Sequence, residues 1–85
     1  MSQPRTFVVN ARWDAEARRW WASSDDIPGL VTEAETFEQL VQHIHDLAPD
    51  LLELNSHLLP AEMPNPLPIN VMAERFEAIP LRLAS

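Results

Sequence analysis

The chain contains no cysteine and no lysine, and its single glycine is Gly29. Without cysteine there are no disulfides, no thiolate nucleophile, no cysteine-based zinc ribbon and no iron–sulfur cluster. This fits a reducing compartment. No apolar run approaches the roughly 18 residues needed to span a bilayer. The first residues, Met1-Ser2-Gln3-Pro4-Arg5, are too polar to open a secretory signal. The expectation is a soluble, cytoplasmic protein. With one glycine there is no glycine-rich phosphate loop and no nucleophile elbow.

What is present is a foldable composition. The 85 residues are 46% hydrophobic and 22% charged, with three Trp and three Phe to bury. That is too rich in apolar side chains for a disordered chain and too short for two cores. One domain over residues 1–85 is expected, with a core over about 5–75 and a tail or edge extension over 76–85.

The charge is unevenly distributed. Six arginines face 13 carboxylates, a net charge of −7. Arg5, Arg12, Arg18 and Arg19 lie before residue 20, and Arg75 and Arg82 lie after residue 74. Between them, residues 20–73 hold nine carboxylates and no Lys or Arg. Such a segment repels phosphate backbones, so direct nucleic-acid binding is not expected. It suits a basic protein partner, because opposite potentials steer association. Its plainer role is to keep a small domain soluble.

Residues 6–13 alternate, with Phe7, Val9, Ala11 and Trp13 on one face and Val8, Asn10 and Arg12 on the other. This is the period of a half-buried strand. Asp14-Ala15-Glu16-Ala17 suits a hairpin connection, and residues 18–23 suit a second strand with Trp20 and Trp21. Pro28-Gly29 fits the centre of a type II turn, and residues 30–34 a third strand. Thr36 followed by Gln39 predicts a capping box. After it, Phe37, Leu40, Val41, Ile44, Leu47 and Leu51 form a helical apolar stripe. Pro49 removes a hydrogen bond to the His45 carbonyl, so a kink is predicted there, or a break with a second short helix ending near Asn55. Residues 56–66, with three prolines, predict a loop. Residues 67–75 alternate as a fourth strand, and Pro80 opposes ladder pairing beyond it.

The expected fold class is therefore α+β, of order βββαβ, with one helix packed on one face of a small mixed sheet. Adjacent Trp20 and Trp21 point to opposite faces, so one of them faces away from the helix. A homo-oligomer interface over Val8, Trp21 and Met72 is expected to cover that face. The alternative is a Trp lying on the surface with arginine side chains over it.

Evidence for reaction chemistry is thin. His43 and His45 are about 200° apart around a helix and cannot share an ion. His43–Asp46, Asp46–Asp50 and Asp50–Glu53 have chelating spacing, but such pairs are common on solvated helices. Asp25 and Asp26, with Asp14 or Glu16, would make a carboxylate metal set; adjacent Asp residues before Pro-Gly more often cap turns. No catalytic residue, metal site or cofactor is expected, and the protein is not expected to be an enzyme.

One resemblance adds to this. Phe7-Val8-Val9-Asn10-Ala11-Arg12-Trp13-Asp14-Ala15-Glu16-Ala17 and Trp20-Trp21-Ala22-Ser23-Ser24-Asp25-Asp26-Ile27-Pro28-Gly29-Leu30-Val31-Thr32-Glu33-Ala34-Glu35-Thr36 resemble the HicB-like antitoxin family, above all its small uncharacterised branch. Leu51-Leu52-Glu53-Leu54-Asn55 and Ile69-Asn70-Val71 are similar too, so the resemblance covers residues 7–73. It implies a partial ribonuclease-H-like fold without that enzyme's active site. It also implies dimers or tetramers, and a HicA-type toxin as partner, a small basic ribonuclease with a catalytic His. Many family members add a C-terminal DNA-binding domain. Twelve residues follow Ala73 here, too few for one. Arg18 and Arg19 stand where the family leads one to expect a smaller or apolar hairpin. The expected partner-binding residues are Asp25, Asp26, Ile27, Pro28, Leu30, Glu33, Glu35 and Glu38, the acids replacing RNA phosphates and Ile27, Pro28 and Leu30 supplying apolar contact. The alternatives are a self-assembling domain without a toxin and a carboxylate–metal enzyme.

Overall fold

A computed structural model describes residues 6–83. The N-terminal residues 1–5 and the last two residues of the expected tail, Ala84 and Ser85, lie outside the described residues. The elements are β1 (Phe7–Asp14), β2 (Arg19–Ser23), β3 (Val31–Ala34), α1 (Phe37–Leu54), a short 3-10 turn (Ser56–Leu58) and β4 (Ile69–Glu74). The four strands form one mixed sheet in the order β3-β2-β1-β4. β1, β2 and β3 are antiparallel neighbours. β4 pairs parallel to β1, from Phe7 opposite Ile69 to Arg12 opposite Glu74. A parallel return requires a crossover, and α1 with the loop after it supplies one.

Alternation in β1 builds the core. Phe7, Val9 and Ala11 are buried, as are Ala22 of β2, Ala34 of β3 and Leu40, Ile44 and Ala48 of α1. Ile27 and Leu30 complete the cluster from the β2–β3 turn. The sheet face beneath the helix is thus built largely from small and branched side chains.

The local punctuation follows its chemistry. Asp14 Oδ1 accepts hydrogen bonds from the Glu16 and Ala17 backbone N–H groups at 3.0 and 3.2 Å, closing the β1–β2 hairpin. The hairpin ends at Arg18, whose φ is 55°. Gly29 has φ 81° and the Leu30 N–H donates to the Ile27 carbonyl at 3.2 Å, as a type II turn requires. Thr36 caps α1 by accepting from the Gln39 N–H at 3.1 Å.

Of the two alternatives expected at Pro49, the break is overturned: α1 runs without interruption from Phe37 to Leu54 and ends at Asn55. Its buried side continues past the proline through Leu51 and Leu52, and that burial offsets the hydrogen bond missing at the His45 carbonyl. The buried stripe is also rotated from the expected one. Ala48 is buried, whereas Leu47 is exposed, because the 3.6-residue period carries the line from Ile44 to Ala48. Beyond β4, residues 75–83 form no strand or helix, so no edge extension pairs with the sheet there, as Pro80 disfavours.

Replacing Gly29 by Ala should destabilise the fold by roughly 1–2 kcal/mol, the cost of placing a Cβ in the left-handed region. The added Cβ would meet only the flexible end of Leu51, 3.4 Å away. Urea unfolding followed by tryptophan fluorescence measures this; an unchanged midpoint would contradict it.

Candidate functional site

The expected acidic surface begins in the β2–β3 turn, where folding gives the residues unlike tasks. Ladder pairing between β1 and β2 ends at Asn10 opposite Ser23, so Val8 projects past the end of β2. Side chains of the turn close that gap. Ser24 Oγ donates to the Val8 carbonyl at 2.6 Å and accepts from the Asp26 and Ile27 N–H groups at 3.0 and 3.1 Å. Asp26 Oδ2 accepts from the Val8 N–H at 2.8 Å. Asp26 is thereby a clasp on the β1 backbone, while Asp25 is exposed.

The expected apolar contacts are corrected in the same place. Ile27 and Leu30 are 0% and 1% exposed and belong to the core; neither can touch a partner. A turn that crosses the end of a sheet must bury its own apolar side chains, and the sequence pattern alone does not distinguish these from surface ones. Pro28 stays half-buried at the turn's tip.

Two further groups of carboxylates follow along the chain. Glu33 and Glu35 lie beside Arg19, which has its Nε 3.1 Å from Glu33 Oε1 and its Nη1 3.9 Å from Glu35 Oε1. The Nε contact is an ion pair lacking hydrogen-bond alignment. Arg19, unexpected in the hairpin by family resemblance, therefore neutralises part of the acidic segment. The second group is on α1. Glu38, Asp46, Asp50 and Glu53 are all exposed, and their positions fall within about 120° around the helix axis. Gln42 donates to Asp46 at 3.0 Å within the same stripe. No Lys or Arg occurs in the helix. Asp46, Asp50 and Glu53 are thus candidate contact residues that the expected set omitted; their i, i+4 and i+3 spacing was the signal for them.

The residues weighed for metal binding are not brought together. Asp14 caps its hairpin and Asp26 its strand. His43 Nδ1 lies 3.0 Å from the Glu33 carbonyl, to which it donates, and 3.4 Å from Thr32 Oγ1. His45 is exposed on α1 and His57 in the 3-10 turn. Among the described residues no group of three or more His, Asp or Glu gathers around one point.

The opposite sheet face is open. Register places Trp21 between Arg12 and Glu33, Ser23 between Asn10 and Val31, and Met72 opposite Asn10. Val8, Trp21 and Met72 do share this face. Trp21 is 41% exposed, and Met72 and Val31 are more so. A shallow depression of about 320 Å³ runs between Arg12, Trp21 and Val31. Trp13 and Trp20, by contrast, lie on the helix side. Trp20 packs against Trp13 and edge-on against Phe37, at ring distances of 5.6 and 5.3 Å, and the Arg75 guanidinium lies over the Trp13 ring at 4.4 Å. Among the described residues no helix is long and apolar enough to cross a membrane.

Asp26→Ala should lose roughly 1–3 kcal/mol of stability, since the Val8 N–H would lose its partner, whereas Asp25→Ala should stay within about 0.5 kcal/mol of the parent. Chemical denaturation of the two variants compares them; equal effects would contradict the distinction.

The same chain can be placed among known proteins. It is similar to the crystal structure of hypothetical protein TTHA1013 from the extremely thermophilic bacterium Thermus thermophilus, with 40% identity, 91% of this chain and 100% of that chain covered, and a TM-score of 0.64. No curated protein matches it. A family model described as "Domain of unknown function (DUF1902)" matches residues 6–81, and with nearly the whole sequence covered, the chain belongs to that family.

Proposed function

We propose that the protein is an antitoxin-like binding module of the HicB-like kind, which masks a small basic ribonuclease of the HicA type in the cytoplasm. The observation that carries this proposal is the exposed carboxylate stripe of Glu38, Asp46, Asp50 and Glu53 on a helix without Lys or Arg. The resemblance over residues 7–73 supports it independently. The stripe would meet cationic groups that otherwise hold RNA phosphates, and the body of the domain would block access to the catalytic His. Asp25, Pro28 and Glu35 at the surface would extend the contact. Glu33 would contribute less, since Arg19 already neutralises it. Asp26, Ile27 and Leu30 support the surface from within. No step of bond chemistry is required of this chain, so the role is one of binding and not catalysis. Long-range attraction would speed encounter, while the fitted contact would set the lifetime of the complex.

A self-assembling domain without a toxin is the second reading, and one observation favours it: Trp21, Val31 and Met72 are exposed together on the sheet face that α1 leaves bare.

Co-expression with the neighbouring gene's product, where that is a small basic ribonuclease, should yield a complex that loosens as salt is raised. Converting Glu38, Asp46, Asp50 and Glu53 to their amides should weaken it by about tenfold or more, chiefly through the association rate. Calorimetry at several salt concentrations measures both effects. Absence of a complex at low salt would overturn the proposal.

A further inference from the structure

α1 lies closest to β3 and β2, which leaves the β1–β4 side of the sheet less covered. A groove of about 600 Å³ opens between the helix and β4. Val41, Ala48 and Leu52 line it from the helix, and Leu67, Ile69 and Val71 from the other side. Its polar side chains are only those of His45 and Asn65. β4 is also the last strand of the sheet, so its outer edge has no ladder partner among the described residues. An apolar trough beside an open edge is suited to an extended apolar segment, which pairs through its backbone and fills the trough with its side chains.

The chain carries such a segment. Beyond β4, Phe76, Ile79, Leu81 and Leu83 are each between 78% and 85% exposed. Isolated exposed apolar residues are ordinary, but four within eight residues are not. The segment is held at its root by Arg75, which lies over Trp13 and pairs with Glu77 at 2.6 Å. Folding back along its own β4 would need a tight hairpin at residues 75–78. Tight hairpins use Gly, Asn or Asp to reach positive φ, and Arg75-Phe76-Glu77-Ala78 contains none of these. A second copy can bring groove and segment together without any turn.

We propose that residues 76–83 of each copy dock in the groove between α1 and β4 of a second copy, reciprocally, to form a two-fold symmetric dimer. Two arguments select a second copy as the occupant. The first is area. Ile79, Leu81 and Leu83 share one face of an extended segment; at roughly 100 Å² for each such side chain, two tails and the two grooves that receive them bury on the order of 1,200 Å² together, the lower end of the range for stable, specific interfaces. The second is reach. Arg75-Phe76-Glu77-Ala78 lacks the residues a tight hairpin uses, so a groove on another copy is within reach of the segment where its own is not. Pro80 lacks an N–H, which is tolerated in a segment added at a sheet edge. This interface is separate from the Trp21–Met72 face and does not rest on the antitoxin proposal.

Light scattering on the full chain should give the mass of a dimer. The double variant Ile79→Asp, Leu81→Asp should be monomeric with an unchanged circular dichroism spectrum, because both side chains are solvent-exposed in the protomer. A nitroxide label on Ala78→Cys, in an unlabelled copy mixed with a ¹⁵N-labelled one, should broaden the amide signals of Val41, Ala48 and Val71 and spare those of Trp21 and Val31. A monomeric wild type, a dimer that survives the double variant, or broadening confined to the Trp21 face would each overturn the proposal.

Discussion

One helix can cover only one face of a sheet, and four strands are wider than one helix. Most of what distinguishes this protein follows from that mismatch. α1 buries its apolar line on β2 and β3 and completes a core with Phe7, Val9 and Ala11. The residual surfaces are then determined by geometry: a bare sheet face carrying Trp21, an apolar trough beside β4, and a solvated helix side that carries the carboxylates. A domain of this size has few means of covering such surfaces within one chain, so they are natural places for other molecules.

Folding sorts the acidic residues by function. Asp14 and Asp26 are taken up by the backbone, where each satisfies N–H groups that a hairpin or a strand end would leave without partners. Glu33 and Glu35 meet Arg19 across the sheet edge. The largest group of exposed carboxylates left on one element is the helical stripe of Glu38, Asp46, Asp50 and Glu53. The negative field of the protein is therefore narrower and more directional than its net charge of −7 suggests, and direction is what a docking surface needs.

The likeness to a thermophile's hypothetical protein and the membership in a family without assigned function leave function to be read from the surfaces themselves. Two of these surfaces have different chemistries. The helix stripe is polar and suited to reversible, salt-sensitive attachment, whereas the β4 groove and the C-terminal segment are apolar and suited to permanent burial. A protein that assembles through one and recognises a partner through the other keeps the two events energetically distinct.

Local chemistry was enough to read the strands, the helix start and the tight turn. Alternation in β1, the Thr36 cap and the pairing of Pro28 with Gly29 each act over a few residues, and neighbouring residues alone dictate them. The sequence also determined that one of Trp20 and Trp21 must face away from the helix. Tertiary structure decided the rest. Ile27 and Leu30 look like turn-tip residues until the turn crosses the end of the sheet and buries them. Pro49 looks like a helix breaker until burial on both sides of it outweighs one lost hydrogen bond. Arg19 and Glu33 are fourteen residues apart and become a pair only through the β2–β3 register. Burial and long-range ion pairing depend on which elements meet, and that is a property of the assembled sheet, beyond what any short stretch of chain encodes.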